Sequence, residues 1–103
     1  MSSYRIQRTA SANNDLLEAW LYVAEDSLDA ADRLLDRIEA DTRSLLEHPR
    51  MGRARDELAA GLRNWPTSTP YIAFYFLQGT DIIIARVLHH SRDILTIDAW
   101  PNR

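Results

Sequence analysis

The chain has 103 residues, the size of one folded domain, and we expect a single domain over residues 1–103. It has no cysteine, which excludes disulfide frameworks and thiolate metal sites, and its net charge of −3 argues against a protein that binds mainly through phosphate contacts. No signal peptide and no membrane-spanning apolar run is recognisable, so the sequence predicts a cytoplasmic protein without a membrane partner.

The first half of the chain predicts one strand followed by two helices. Residues 4–8 alternate between polar and apolar side chains, as a short strand does. From about Ala12 the apolar residues recur with helical spacing, and Thr9 or Ser11 can cap this helix. A second helix follows a short break at residues 25–29, with Ser27 as its cap, and ends before Pro49. The residues predicted to face inward are Leu16, Leu17, Trp20, Leu21 and Ala24 on the first helix, and Ala31, Leu34, Leu35, Ile38, Thr42, Leu45 and Leu46 on the second.

The second half predicts three strands. Residues 49–61 form the loosest stretch, and a short strand over residues 62–65 is closed by Pro66. Residues 70–77 form a strong strand, and a tight turn at residues 78–81 leads into another one, which makes a hairpin. The predicted fold class is therefore α+β, in the order β-α-α-β-β-β, with a helical hairpin packed on a small, mainly antiparallel sheet.

The C-terminal tail, residues 91–103, is unusually apolar for a chain end. We expect a short helix that starts at Ser91. Because ordering a tail costs about 1–2 kcal/mol per residue, its apolar residues should be buried on the sheet, and Ile94, Leu95 and Ile97 are the candidates. Trp100 is then free to project as an interface anchor.

One arginine lies inside the last predicted strand. Residues 82–88 have the composition of a strand buried on both faces, and Arg86 interrupts them. A buried guanidinium is costly unless it is paired or opens onto a cleft, and the sequence leaves both possibilities open for Arg63 and Arg86. We expect the two arginines to lie on neighbouring strands and to face one concave patch.

The histidines do not form a metal-binding pattern. His48, His89 and His90 have no carboxylate or histidine at the i,i+3 or i,i+4 spacing of a helical zinc site. We therefore expect neither a metal nor another cofactor.

The helical hairpin carries more apolar residues than one inward stripe per helix requires. The surplus residues are Trp20, Tyr22, Val23 and Leu28, although core packing is an alternative for Trp20. Such a surplus indicates a second covered surface, which a partner's amphipathic helix or added strand could occupy.

Eight local motifs occur in an order that is typical of one protein family. They are Tyr4-Arg5; Asp15-Leu16 with Trp20; Ala30-Ala31; His48-Pro49 with Gly52; Leu58 with Gly61-Leu62-Arg63; Tyr71 with Phe74-Tyr75; Arg86-Val87-Leu88-His89; and Arg92-Asp93. Together with the order of the elements, they resemble the ParE toxins of type II toxin–antitoxin systems, within the RelE/ParE superfamily.

This resemblance implies a toxin that inhibits DNA gyrase by binding and is neutralised by a cognate ParD-like antitoxin. Such a protein is not an enzyme, forms a hetero-oligomer with its antitoxin, and contacts DNA only indirectly through that partner. The residues assigned to antitoxin binding are Trp20, Tyr22, Val23 and Leu28. The residues assigned to target binding are Arg63, Arg86, His89, Arg92 and Trp100.

Two alternatives remain open within the superfamily. A ribosome-dependent mRNA endonuclease of the RelE type needs a base, an acid and a cation, and Arg63, Arg86, His89 and Tyr75 are the candidates. The sequence pI of about 5.5 and the absence of lysine weigh against it, since a ribosome-binding enzyme should be basic. The other alternative is a relative that binds its antitoxin but has lost toxicity.

Overall fold

The computed structural model describes residues 3–97 and 99–102, and residues 1, 2, 98 and 103 of the expected domain lie outside the described residues. The elements in chain order are β1 (Arg5–Arg8), α1 (Ala10–Ala24), α2 (Leu28–Arg43), a 3₁₀ turn (Ser44–Leu46), β2 (Arg53–Ala54), β3 (Arg63–Pro66), β4 (Tyr71–Gln78), β5 (Asp81–His89) and a second 3₁₀ turn (Ile94–Thr96). Within the described ranges, no helix is long and apolar enough to cross a membrane.

The five strands form one mixed sheet in the order β1-β5-β4-β3-β2. β1 runs parallel to β5, and the other neighbouring pairs are antiparallel. The predicted α+β class with a helical hairpin on a mainly antiparallel sheet is confirmed. The strand count is corrected: β2, which pairs Arg53 with Asn64, lies in a stretch that the sequence indicated as a loop. Two residues are too short to produce an alternating pattern.

Side-chain caps fix the start of both helices. The Thr9 Oγ1 accepts a hydrogen bond from the Ala12 N–H at 3.0 Å and donates one to the Ala85 carbonyl at 2.8 Å, so it also ties α1 to β5. Ser27 caps α2 by accepting from the Ala30 N–H at 3.1 Å, as predicted.

The two helices differ in how well their predicted inward face agrees with the structure. All seven residues predicted to face inward on and after α2 are buried or half-buried. The prediction for α1 was wrong for Leu17 and Leu21, which are 54% and 52% exposed. The residues of α1 that are buried are instead Ala12, Asp15 and Ala19.

The sheet has an apolar core on each face. The hairpin-side core contains Ile38 together with Tyr75, Ile82 and Ile84 from the strands. The core on the opposite face is built around Phe74, with further residues from β3, β4, β5 and the tail. β5 contributes to both cores, which confirms that it is covered on both faces.

The tail packs on the opposite face in a way that corrects several predictions. Ile94 and Ile97 are half-buried there, but Leu95 is 80% exposed. Trp100 does not project, because its ring lies 4.8 Å from that of Phe74. The short helix is the 3₁₀ turn at Ile94–Thr96, and its cap is Asp93, not Ser91.

Candidate functional site

A buried ion pair joins α1 to β5. The Arg86 Nε and Nη2 donate to the two carboxylate oxygens of Asp15 at 2.7 and 2.9 Å, and the Val87 N–H donates to the same carboxylate at 3.0 Å. β1 pairs with β5 only as far as Ile84. Beyond that residue, the Asp15 carboxylate accepts a backbone hydrogen bond of β5 in place of a strand partner. Hydrogen bonding to Asp15 raises the pKa of Arg86, which keeps the guanidinium charged. Of the two possibilities for Arg86, the internal pair is the one realised.

Tyr75 and Arg63 hold the loop of residues 49–52 against the sheet. The fully buried Tyr75 hydroxyl accepts from the Gly52 N–H at 2.9 Å and donates to the Pro49 carbonyl at 2.8 Å. The Arg63 Nη1 donates to the Gly52 and Arg50 carbonyls at 2.7 and 3.1 Å. Burial raises the pKa of Tyr75, which further favours the protonated phenol that donates to the Pro49 carbonyl. A Cβ at position 52 would lie 2.5 Å from the Tyr75 hydroxyl, which explains the glycine.

The structure separates Arg63 from Arg86, which the sequence had predicted to lie together. Arg63 lies on β3 and Arg86 on β5, and β4 runs between them, so the prediction of neighbouring strands was wrong. Tyr75 and both arginines are already bonded to the protein's own groups. Of the four residues considered for an endonuclease, His89 is the exposed one, and its Nδ1 shares a hydrogen bond with the Ser91 hydroxyl at 2.8 Å.

A small pocket lies on the flank of α1 that faces the end of β5. It has a volume of about 210 Å³ and contains two of the predicted target-binding residues, His89 and Arg92, beside Tyr22 and Tyr71. The His89 ring meets that of Tyr71 edge-on at 5.3 Å. Burial, followed by the nearby Tyr22, raises the pKa of Tyr71. The structure therefore brings His89 and Arg92 together near the Asp15–Arg86 pair, and it leaves Trp100 packed on the tail side.

Three leucines of the hairpin are exposed: Leu17, Leu21 and Leu28. We call these three residues the leucine surface. Their exposed fractions range from 52% to 62%. Trp20 is half-buried next to it, and its Nε1 donates to Asp32 of α2 at 2.9 Å. The helical spacing of Leu17 and Leu21 predicts that they lie in the core, so it does not identify them as surface residues.

The four residues predicted to bind an antitoxin do not form one surface. Positions two apart on a helix differ by about 200° in direction, so Trp20 and Tyr22 lie on opposite flanks of α1. Tyr22 lines the small pocket, whereas Val23 is half-buried and Leu28 belongs to the leucine surface.

A larger cleft of about 940 Å³ opens between β1 and the hairpin. Leu17 lies on its rim, so the cleft continues the leucine surface. The described residues contain no group of three His, Cys, Asp or Glu side chains that could hold a metal ion.

Comparison with known proteins assigns the chain to a family. Residues 6–94 match the family described as ParE toxin of type II toxin-antitoxin system, parDE. This chain belongs to the ParE toxin family. The matched range includes both helices, β1 from Ile6 onward, the other four strands, and the two residues of the small pocket that the sequence had predicted to bind a target.

Individual relatives agree with the family. The chain is 35% identical to Toxin ParE3 of Caulobacter vibrioides over 85 residues, which is 82% of this chain and 84% of that protein. It is 33% identical to Toxin ParE1 of the same organism over 92 residues, covering 88% and 92% of the two chains. A solved structure titled "Chromosomal ParDE TA system from P. aeruginosa" has the same fold, with a TM-score of 0.73, 21% identity and coverage of 86% and 98%.

Proposed function

We propose that this ParE family member inhibits DNA gyrase by binding it, and that a cognate ParD-like antitoxin neutralises it in a hetero-oligomeric complex. No cofactor takes part, and operator DNA is reached only through the antitoxin. The cytoplasm, where gyrase is found, is the proposed location.

The leucine surface is the observation that carries the antitoxin part of this proposal. Leu17, Leu21 and Leu28 each expose more than half of their side chain on one small hairpin. Leu17 and Leu21 lie one helical turn apart on α1, and neighbouring exposed apolar side chains are typical of protein–protein contact sites. An amphipathic helix of a partner can bury them, as in other helix-in-groove complexes.

The state of the candidate catalytic groups supports inhibition by binding over RNA cleavage. Arg63 donates to carbonyls of the loop at residues 49–52, and Arg86 donates to Asp15. The buried Tyr75 hydroxyl is hydrogen-bonded to the backbone of the same loop. A general base or acid must be within hydrogen-bond reach of the substrate, and these groups face the protein. His89 and Arg92, in the small pocket, are the residues that we propose to contact the target.

Induction of the chain in a bacterial host without its antitoxin tests the target. We expect SOS induction and stalled cell division, and inhibition of supercoiling when purified chain is added to purified gyrase. Immediate translation arrest with cleaved mRNA would instead establish the endonuclease alternative. Normal growth, combined with tight binding of the antitoxin, would identify a relative that has lost toxicity.

A pair of matched variants tests the target-binding residues. Arg92→Ala should weaken supercoiling inhibition by roughly tenfold, since an arginine in an interface pocket is a common hot spot. Arg33→Ala removes an exposed arginine from α2, outside the pocket, and should leave inhibition unchanged. Equal activity of the two variants would remove the small pocket from the target interface.

A further inference from the structure

The small pocket at the end of β5 has room for one side chain of a partner. Its volume of about 210 Å³ is that of roughly seven water molecules, at about 30 Å³ each. The buried part of its lining is apolar and consists of Ala19, Val87 and Leu88. The pocket is therefore too small for a helix, and its apolar lining strengthens any ionic contact that is made beside it.

The two acidic side chains that line the pocket already have partners within the protein. Asp15 accepts three hydrogen bonds, two from Arg86 and one from the Val87 N–H. Glu18 accepts one from the Asn14 side chain at 3.3 Å, and it also helps to raise the pKa of Arg86. The negative charge of Asp15 is therefore balanced, and that of Glu18 is offset in part.

The basic side chain that lines the pocket has no such partner. The backbone N–H of Arg92 donates to the His89 carbonyl at 2.9 Å, which fixes this residue in a turn beside the pocket. Among the described residues, the Arg92 guanidinium forms neither a hydrogen bond nor an ion pair. A guanidinium has five N–H donors and a permanent charge, so Arg92 supplies the pocket with an uncompensated cation.

Three uncharged hydrogen-bond donors line the same pocket. Within the part of the chain that the structure describes, the hydroxyl groups of Tyr22 and Tyr71 have no hydrogen-bond partner. The His89 Nδ1 accepts from the Ser91 N–H at 3.1 Å, which leaves the ring proton on Nε2 as a donor. The unused groups around the pocket are thus mainly donors, and they suit an acceptor that carries negative charge.

We infer that the pocket binds the carboxylate of one aspartate or glutamate side chain of the target, with Arg92 as its counter-ion and the two tyrosine hydroxyls as further donors. This inference rests on the proposed target and adds the chemistry by which the pocket recognises it. Hydrogen bonds from a guanidinium to a carboxylate are about twice as strong as those between neutral groups, and the two planar groups fit in pairs. A basic side chain in the pocket would be repelled by Arg92.

The lysine-free sequence permits a direct test of this contact. Carbodiimide joins an amine to a carboxylate at zero length, and Arg92→Lys gives the chain a single side-chain amine, in the pocket. Arg33→Lys places that amine on the exposed surface of α2, outside the pocket. The probe is purified DNA gyrase, bound to the full chain in the absence of DNA. Mass spectrometry should identify a cross-link from position 92 to an aspartate or glutamate of gyrase, and none from position 33.

Dissociation constants for gyrase supply an independent measurement. Arg92→Gln should raise the constant roughly tenfold at low salt and by less at high salt, whereas Arg92→Lys, which keeps the charge, should raise it roughly threefold. Tyr22→Phe and Tyr71→Phe each remove only a hydroxyl group and should raise it roughly fivefold. Arg33→Gln is the matched control and should change it less than twofold. Arg92 and Tyr22 are exposed, so circular dichroism should show an unchanged fold for their variants.

The outcomes separate the chemistry of the pocket from the identity of the target. If Arg92→Gln weakens binding but the cross-link is absent and both tyrosine variants bind normally, the carboxylate inference is overturned while the pocket stays in the interface. Binding that requires DNA, without a cross-link to gyrase, would assign Arg92 to a DNA phosphate and would also overturn it. Failure of the unmodified chain to bind gyrase, with or without DNA, would overturn the proposed target itself.

Discussion

α1 and α2 pack side by side on the same sheet, but they bury different kinds of side chain. α2 turns Ala31, Ile38 and Thr42 inward and keeps a charged outer surface. α1 buries two alanines and an aspartate and exposes Leu17 and Leu21. A helix that only stabilises the fold would bury its leucines, because each is worth about 1.5–3 kcal/mol when fully removed from water. The difference supports the proposal that the outward leucines of α1, together with Leu28 at the start of α2, serve a partner, whereas the rest of α2 serves the fold.

The largest expected effect is a difference in stability between a substitution in α2 and one in α1. Ile38→Ala in α2 should lower the free energy of unfolding by about 3 kcal/mol, since it leaves a cavity at a position that is 2% exposed. Leu21→Ala in α1 should lower it by less than about 0.5 kcal/mol, because that side chain is half exposed. Urea unfolding followed by circular dichroism measures both. Equal losses would contradict the assignment of Leu21 to a partner surface.

The buried aspartate of α1 should be the next most sensitive position. Asp15→Asn should lower the free energy of unfolding by about 3 kcal/mol, the low end for a broken buried pair, because Arg86 loses its counter-ion while its side chain retains some contact with solvent. Asp26→Asn, in the turn between the helices, is the exposed control and should have almost no effect. A small change in the free energy of unfolding for Asp15→Asn would mean that water can solvate Arg86 in place of the carboxylate.

The exposed leucines of α1 should affect binding more than folding. Replacing either Leu17 or Leu21 with alanine should weaken antitoxin binding by about 1–2 kcal/mol, which raises the dissociation constant roughly tenfold. Leu95→Ala is the matched control, since Leu95 is an exposed leucine on the tail rather than the hairpin. Titration calorimetry or surface plasmon resonance gives the affinities. If Leu95→Ala weakens antitoxin binding by as much, binding depends on any exposed apolar side chain and not on the hairpin in particular.

The smallest expected effect concerns the polar link between the helices. Trp20→Phe removes the hydrogen bond from the indole to Asp32 and should cost about 0.5–1 kcal/mol of stability. A double-mutant cycle with Asp32→Ala isolates the interaction. A coupling energy near zero would show that the hairpin geometry depends on apolar packing alone.

The parts of the fold that the sequence predicts well are those whose pattern is local. The seven inward residues of α2 repeat with helical spacing, and the β4–β5 hairpin is marked by Gly79, whose φ of 59° suits a tight turn. On α1, alanines at positions 12 and 19 compete with leucines for the core, and hydrophobicity alone favours the leucines. The structure favours the alanines because small side chains allow the helix to lie close to the sheet.

The candidate site was less predictable because its contacts join distant residues. Nothing in the sequence pairs Asp15 with Arg86, or Arg63 with the carbonyls of the loop at residues 49–52. The strand order that separates the two arginines also depends on long-range pairing. By contrast, His89 and Arg92 are close in sequence and at the end of one strand, and the prediction that grouped them is consistent with their shared pocket.

The parallel pairing of β1 with β5 has a consequence for the timing of synthesis. Arg5 and its partner Asp81 are 76 residues apart, and the bond from the Thr9 hydroxyl to the Ala85 carbonyl and the ion pair of α1 also require β5. At a translation rate of about 5–20 residues per second, roughly 4–15 s pass between the appearance of β1 and that of β5. During this interval the nascent chain lacks the strand that completes its sheet and its hairpin-side core, so we expect it to be harmless until translation has passed residue 89. The proposed antitoxin, when it is already present in the cell, can therefore meet the toxin as it folds.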